Sequence, residues 1–538
     1  MQLRFDVHDD ASKARPFGAV PSSDDPSRGT CLLSYAENED YMPECNEVPN
    51  EDSTDPARIS TGSIGLDNIL GGGFDSDRLY LYEGRPGTGK TTLALQFLME
   101  GARNGERTLY ISLSENLREL TVVARRHGWS LDGIDIFELV SPETTLDPAR
   151  ELTVLHPAEM ELNETTQLVF ERVRETNPSR VVFDSLSEMR LLAQSPLRYR
   201  RQILALKHFF SGRRCTVVLL DDLSSAENDL QLHSISHGVV LLEQLAIDYG
   251  AERRRLRVVK MRGISFRGGF HDFKIEKGGL AIFPRLIAAE HHKAFIGEFT
   301  PSGNTELDIL LGGGLERGTN ALLIGGAGVG KSSLALTYAV AAAGRGERGA
   351  VFAFDEGRGT LEARARALGL PLQEAIDADL IRIQQIDPAE MSPGELVDAV
   401  RDEVEARRTE VIVLDSLNGY LASMPEERFL VVQLHELLSY LRQRGVLTIL
   451  TVAQAGMVGQ MTSPVDVSYL ADTVVLLRFF ELRGEIRKAV SVVKRRIGRH
   501  ARDIRELVMD ERGVRVGERL SAFQGVLTGV PRLLPEPD

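Results

Sequence analysis

One eight-residue pattern occurs twice in this chain, 241 positions apart: Gly84-Arg85-Pro86-Gly87-Thr88-Gly89-Lys90-Thr91 and Gly325-Gly326-Ala327-Gly328-Val329-Gly330-Lys331-Ser332. Both obey G-x-x-x-x-G-K-[ST], the phosphate-binding loop between a strand and a helix. The context is duplicated as well. Gly62-Ser63-Ile64-Gly65-Leu66-Asp67-Asn68-Ile69-Leu70-Gly71-Gly72-Gly73 aligns with Gly303-Asn304-Thr305-Glu306-Leu307-Asp308-Ile309-Leu310-Leu311-Gly312-Gly313-Gly314. In each copy an apolar strand, 78–83 or 319–324, runs straight into the loop, and a helical stretch follows from Thr91 or Ser332. Apolar strands recur at 108–113, 181–184, 216–220 and 238–242, and again at 350–354, 411–415, 447–452 and 473–477. Strands alternating with helical segments predict an α/β fold: two tandem P-loop domains, each a mostly parallel sheet flanked by helices.

At 538 residues the chain exceeds what one core supports. The reading is an acidic tail over 1–55, a first domain over 56–290, a second over 291–525 and a short tail over 526–538. The domain boundary falls near 285–298. The tail holds thirteen Asp and Glu against four Lys and Arg, much of the net charge of −15, and shows no sustained period, which predicts disorder. Such a balance argues against tight non-specific nucleic-acid binding. Cys31, Cys45 and Cys215 lack metal or disulfide spacing, which fits a reducing cytoplasm. No run of apolar residues is long enough to span a membrane.

The loops define the chemistry. Glycines let backbone N–H groups turn toward phosphate oxygens, and the following helix aims its positive end at them. Gly84, Gly87, Thr88, Gly89, Lys90, Thr91 and Thr92 form one candidate nucleotide site. Gly325, Gly328, Val329, Gly330, Lys331, Ser332 and Ser333 form the other. Lys90 and Lys331 would reach the β- and γ-phosphates of ATP, and Thr91 and Ser332 would place a hydroxyl on Mg²⁺. Asp184 and Asp415 each end an apolar strand, where a carboxylate meets the loop and can share that metal. An acid after the next strand can orient and deprotonate an attacking water. The candidates are Glu115 in the first copy, after Ser114, and Asp355 and Glu356 in the second.

With these features the chain resembles the KaiC family of clock ATPases and autokinases, over about residues 57–530. Two further segments carry the resemblance: Val258-Val259-Lys260-Met261-Arg262-Gly263, and Phe480–Glu485 followed by Val493-Lys494-Arg495-Arg496. The resemblance implies a cytoplasmic homo-hexameric ring in which Lys260, Arg262, Lys494 and Arg496 reach the ATP of the neighbouring subunit. A cation supplied in trans stabilises developing charge only when the ring is assembled. The resemblance also implies a Ser autokinase in the second domain, with Ser468 as phosphoacceptor, and KaiB-like or other signalling partners. The sequence departs from the family where Tyr469 replaces a Thr and Ser114 replaces a Glu. Two other readings fit the same core. One is a DNA-dependent ATPase using Arg198-Tyr199-Arg200-Arg201 or Arg253-Arg254-Arg255 with Arg257. The other is a nucleotide-sensing scaffold with little turnover.

Overall fold

The structure is a computed structural model that describes residues 57–139, 157–223, 230–246, 250–295, 297–422, 427–456, 467–528 and 532–533. The acidic tail, Cys31 and Cys45 lie outside these, as does most of 526–538. The chain divides into two units, Met1–Asp55 and Pro56–Asp538, and everything below concerns the second.

Two nine-stranded sheets carry that unit. In the first the order is Gly279–Phe283, His271–Glu276, Arg253–Met261, Gly238–Leu245, Leu79–Gly84, Thr216–Asp222, Arg180–Asp184, Thr108–Ser112, Ile134–Glu138. The second repeats it as Gly513–Arg519, Ile504–Asp510, Glu485–Arg495, Thr473–Leu482, Asn320–Gly325, Leu447–Ala453, Val411–Asp415, Gly349–Ala353, Ile381–Gln385. The last six strands of each list pair in parallel. The first three are antiparallel. The P-loop strand lies in the middle, covered on both faces. This explains why Leu79–Gly84 reads as one apolar run and is buried along its whole length.

Sequence reading missed four strands in each nine-stranded sheet. Ile134–Glu138 and Ile381–Gln385 are half-polar edge strands. Arg253–Met261 and Glu485–Arg495 alternate charged with apolar residues on a half-exposed face. The closing hairpins, His271–Phe283 and Ile504–Arg519, carry short mixed strands of the same sort. Because of Ile134–Glu138 and its counterpart, the Asp-ending strand is the third strand after the P-loop strand rather than the second.

Each sheet buries a hydrophobic cluster on either face. The two modules touch through backbone. Ala251 N–H donates to Ala389 O at 2.9 Å. Arg253 donates to Pro388 O at 2.7 Å, and Gly394 N–H donates to the Asp272 carboxylate at 2.8 Å. Asp272 thereby sits at the N-terminus of the helix Pro393–Glu405, where a negative charge is favoured.

Candidate nucleotide sites

Each P-loop helix starts on its lysine, Lys90–Arg103 and Lys331–Gly344, after a glycine in the left-handed region: Gly89 at φ 96° and Gly330 at φ 112°. Neither helix has a side-chain cap, so its first N–H groups are left for an anion. A Cβ on Gly89 would stand 2.8 Å from Ile275 Cδ1, and one on Gly330 only 2.1 Å from Met509 Cε. Only glycine satisfies both the positive φ and this close approach.

The two lysines are 7% exposed and fold back over their own loops. Lys90 Nζ donates to Gly84 O at 2.8 Å and Arg85 O at 3.1 Å; Lys331 Nζ donates to Gly325 O at 3.0 Å and Gly326 O at 2.8 Å. Burial pulls the Lys331 ammonium below its ordinary range, against the opposing pull of Asp415 and Asp355. Thr88, Thr92, Val329 and Ser333 are buried beside them, and Thr88 Oγ1 bonds Arg85 O at 2.8 Å.

The hydroxyl and carboxylate expected to share a metal are brought together in both copies. Thr91 Oγ1 donates to Asp184 at 3.2 Å and Ser332 Oγ to Asp415 at 3.1 Å. Among the described residues no group of three or more His, Cys, Asp or Glu could hold a metal ion by itself. One hydroxyl and one carboxylate do suit Mg²⁺, which keeps waters and takes its other ligands from substrate phosphates. The Asp itself is steadied differently in each copy. Tyr110 OH donates to Asp184 at 2.5 Å, whereas Thr451 Oγ1 donates to Asp415 at 2.5 Å. Burial raises Asp184 above the usual carboxylate range, while Tyr110 and Thr91 draw it down.

The acids beyond the next strand differ more. Glu115 is half-buried, its Oε2 is buried without a partner, and its backbone is pinned through Ser112 Oγ, to Glu115 O at 2.5 Å and from Glu115 N–H at 3.0 Å. Burial chiefly, then Asp184 and Glu119, push its carboxyl upward. In the second copy Asp355 accepts from Ser416 Oγ at 2.5 Å, and Glu356 is ion-paired with Arg364 at 2.7 Å. Sequence reading missed Arg364, Ser416, Tyr110 and Thr451. The signal for Ser416 was its place after Asp415, whereas Tyr110 and Thr451 look like ordinary strand residues. In the first copy alone, Lys90 also pairs with Asp222 at 2.7 Å. The matching position in the second sheet is Ala453, since Gly84 pairs with Asp222 and Gly325 with Ala453.

The remaining candidates lie at the other end of the sheets. Lys260 stands opposite Val239, level with Leu81, and Lys494 opposite Val474, level with Leu322. Each is three residues short of the loop glycine, roughly 10 Å at strand rise. Lys260 Nζ bonds His233 O and, at 3.0 Å, Ser236 O; Lys494 Nζ bonds Ser468 O at 2.8 Å. Arg262 donates to Ser234 O at 2.6 Å, and Arg496 to Tyr469 O at 2.8 Å and Asp472 at 3.2 Å. Ser468 lies in the short 3-10 turn Ser468–Leu470, just before Asp472 N–H donates to Asn320 O. That is the amino end of the P-loop strand, five residues or roughly 17 Å from Gly325. None of these five residues faces the P-loop of its own chain.

Of the basic tracts considered for DNA, Tyr199, Arg254, Arg255 and Arg257 are engaged in packing or pairing, whereas Arg200 and Arg201 are exposed. Tyr199 is 4% exposed beneath Arg190, and Arg255 and Arg257 lie over the Phe270 ring. Arg254 pairs with Glu252 and Arg255 with Glu243. Among the described residues no helix is long and apolar enough to cross a membrane.

Fold and site together define a tandem P-loop α/β protein with two separate candidate nucleotide sites. The family model for the KaiC ATPase matches it twice, over residues 59–287 and 300–521, and the chain belongs to that family. It is 26% identical over 481 residues to the circadian clock oscillator protein KaiC of Picosynechococcus sp., covering 88% of this chain and 92% of that one. The KaiC of Thermostichus vulcanus is 25% identical over 498 residues, with 91% and 95% covered. Both relatives cover both modules, at an identity too low to fix the role of individual site residues.

Proposed function

We propose that this protein is a ring-forming ATPase with Mg²⁺-dependent sites in both modules and Ser autokinase activity in the second, acting in signalling. The observation that carries the reading is the twofold assembly of loop, buried lysine, hydroxyl–aspartate pair and nearby acid at the carboxyl edge of each sheet. In this reading Lys90 and Lys331 leave their loop carbonyls to meet phosphate oxygens. Thr91 with Asp184, and Ser332 with Asp415, hold Mg²⁺, which would neutralise charge on the phosphates. Glu115 and Glu356, the latter aided by Asp355, orient and deprotonate the attacking water.

Support for a ring comes from what a single chain cannot do. Lys260, Arg262, Lys494 and Arg496 sit at the opposite sheet edge from their own loops. A neighbour stacked head to tail would bring that edge to its loop, so the cations act in trans and turnover depends on assembly. The same reasoning applies to Ser468: the distance to its own loop requires a γ-phosphate from the next subunit. Tyr469 beside it is half-exposed and offers a phenol where the family pattern has a second aliphatic hydroxyl.

The test is incubation of the full chain with γ-labelled ATP and Mg²⁺, following free phosphate and protein-bound label by size class. Label should enter only the assembled fraction and vanish in Ser468→Ala, with phosphate release intact. Release from monomers, or label retained by Ser468→Ala, would sink the trans reading. Lys90→Ala and Lys331→Ala should each remove one bound nucleotide per chain.

A further inference from the structure

The second nucleotide site carries a cation that has no counterpart in the first. Arg364 projects from the helix Arg358–Ala367 into a cavity of about 350 Å³ that it shares with Lys331, Ser332, Lys488 and Met509. At the matching position, seventh in the helix Leu117–Arg126, the first module has Val123. The Arg364 guanidinium uses Nη1 to hold Glu356 at 2.7 Å, both side chains being about a quarter exposed, at 27% and 21%. Its Nε and Nη2 are buried and have no hydrogen-bond partner. A guanidinium with two desolvated, unpaired N–H groups beside a P-loop lysine is poised for phosphate or ribose oxygens, because an unmade buried bond is costly and a planar fork suits an oxyanion.

We propose that Arg364 is a positioning residue of the second module: it latches Glu356 away from the attacking water, and the bound nucleotide, competing for the guanidinium, frees that acid only part of the time. This rests on the reading of Glu356 as the base. No bond is made or broken by Arg364; it exchanges one anionic partner for another. Glu115, with no ion pair to an arginine among the described residues and one oxygen unpartnered, is the unlatched counterpart. The latch therefore makes the second module slower to hydrolyse than its acid alone would allow, which suits a site that also delivers phosphate to a serine.

The experiment uses full-length protein with the first site silenced by Lys90→Ala, and measures phosphate release, KM and nucleotide stoichiometry. Arg364→Gln should raise kcat roughly two- to fivefold, the worth of a part-exposed ion pair. Arg364→Lys, which keeps a cation, should stay close to the parent. Adding Glu356→Gln should cancel the gain. The parent rate should rise with salt, which screens the pair, and the Arg364→Gln rate should not. An unchanged or lower kcat in Arg364→Gln with one nucleotide still bound overturns the latch. So does a rise in KM alone, which would make Arg364 a plain binding residue. Should Arg364→Gln fail to bind nucleotide, the salt dependence of the parent decides: a flat profile overturns the latch. If Glu356→Gln in the parent does not slow release, it is the base assignment that fails, and the latch falls with it for that separate reason.

Discussion

The two modules share one backbone plan and differ in what their sheets bury. In the first, Glu83 pairs across the sheet with Asp221; in the second the same pair is Ile324 and Val452. Glu83 is hydrogen-bonded to His233 at 2.8 Å and Asp221 is paired with Arg190 at 2.9 Å, so both carboxylates have partners. Likewise Thr108 pairs with Arg180 where Gly349 pairs with Val411. Arg180 is 1% exposed and spends its donors on Glu106, Ser60 O and Phe97 O, with Phe97's ring beneath it. The duplication has kept the loop, lysine and metal pair while allowing the interior to become a polar network in one copy and apolar in the other. Site geometry here depends on the backbone, and either interior can hold it as long as every buried charge has a partner.

The sharpest way to break the comparison is at the catalytic acids. Glu115→Gln and Glu356→Gln, each read with the other module silenced through its lysine, should each lower turnover by about 10² to 10⁴. The loss should be greater for Glu115, which has no neighbouring acid like Asp355 to substitute. Nucleotide binding should persist in both. Equal and small losses would mean that neither acid activates water and would favour the scaffold reading.

A smaller effect tests the interiors. Arg180→Leu strips Glu106 and two carbonyls of their partner, and removing one member of a buried pair costs about 3 kcal/mol. Val411→Ala removes two methyl groups from the equivalent place and should cost about 2 kcal/mol through lost burial and a small cavity. Hydrogen exchange resolved to each module should show the first loosened by Arg180→Leu and the second hardly changed, with the reverse for Val411→Ala. If both modules loosen together, they fold as one cooperative unit rather than two.

The sequence made some of this legible and hid the rest for physical reasons. The P-loops, the strand-ending Asp184 and Asp415 and the parallel strands announce themselves because local rules decide them: glycine for positive φ, apolar runs for strands buried on both faces. Arg253–Met261 and Glu485–Arg495 escaped because a strand with one wet face and charged residues on it loses the apolar run. Tyr110, Thr451 and Ser416 escaped because their role is to bond an acid 36 to 74 positions away in sequence. Arg364 sits among Arg358 and Arg366 on an exposed helix, and only the folded cavity separates the one that faces the site from its neighbours.

The finest difference is one of proton affinity. Glu115 is pushed above the usual glutamate range by burial, then by Asp184 and Glu119. A general base works as the carboxylate, so a raised pKa means that protonation disables it at a higher pH than it would an ordinary glutamate. Turnover of the first module, isolated with Lys331→Ala, should therefore begin to fall on acidification at a higher pH than an ordinary glutamate base would give. Replacing Glu119 by Gln removes one of the charges acting on Glu115. The capping box of the helix Leu117–Arg126 survives, because an amide oxygen can still accept from the Asn116 N–H. The acid limb should then move back toward the ordinary range without a change in plateau rate. An acid limb of the first module that lies in the ordinary glutamate range would remove this electrostatic argument. A plateau that drops in Glu119→Gln would mean that the helix, rather than the charge, had been disturbed.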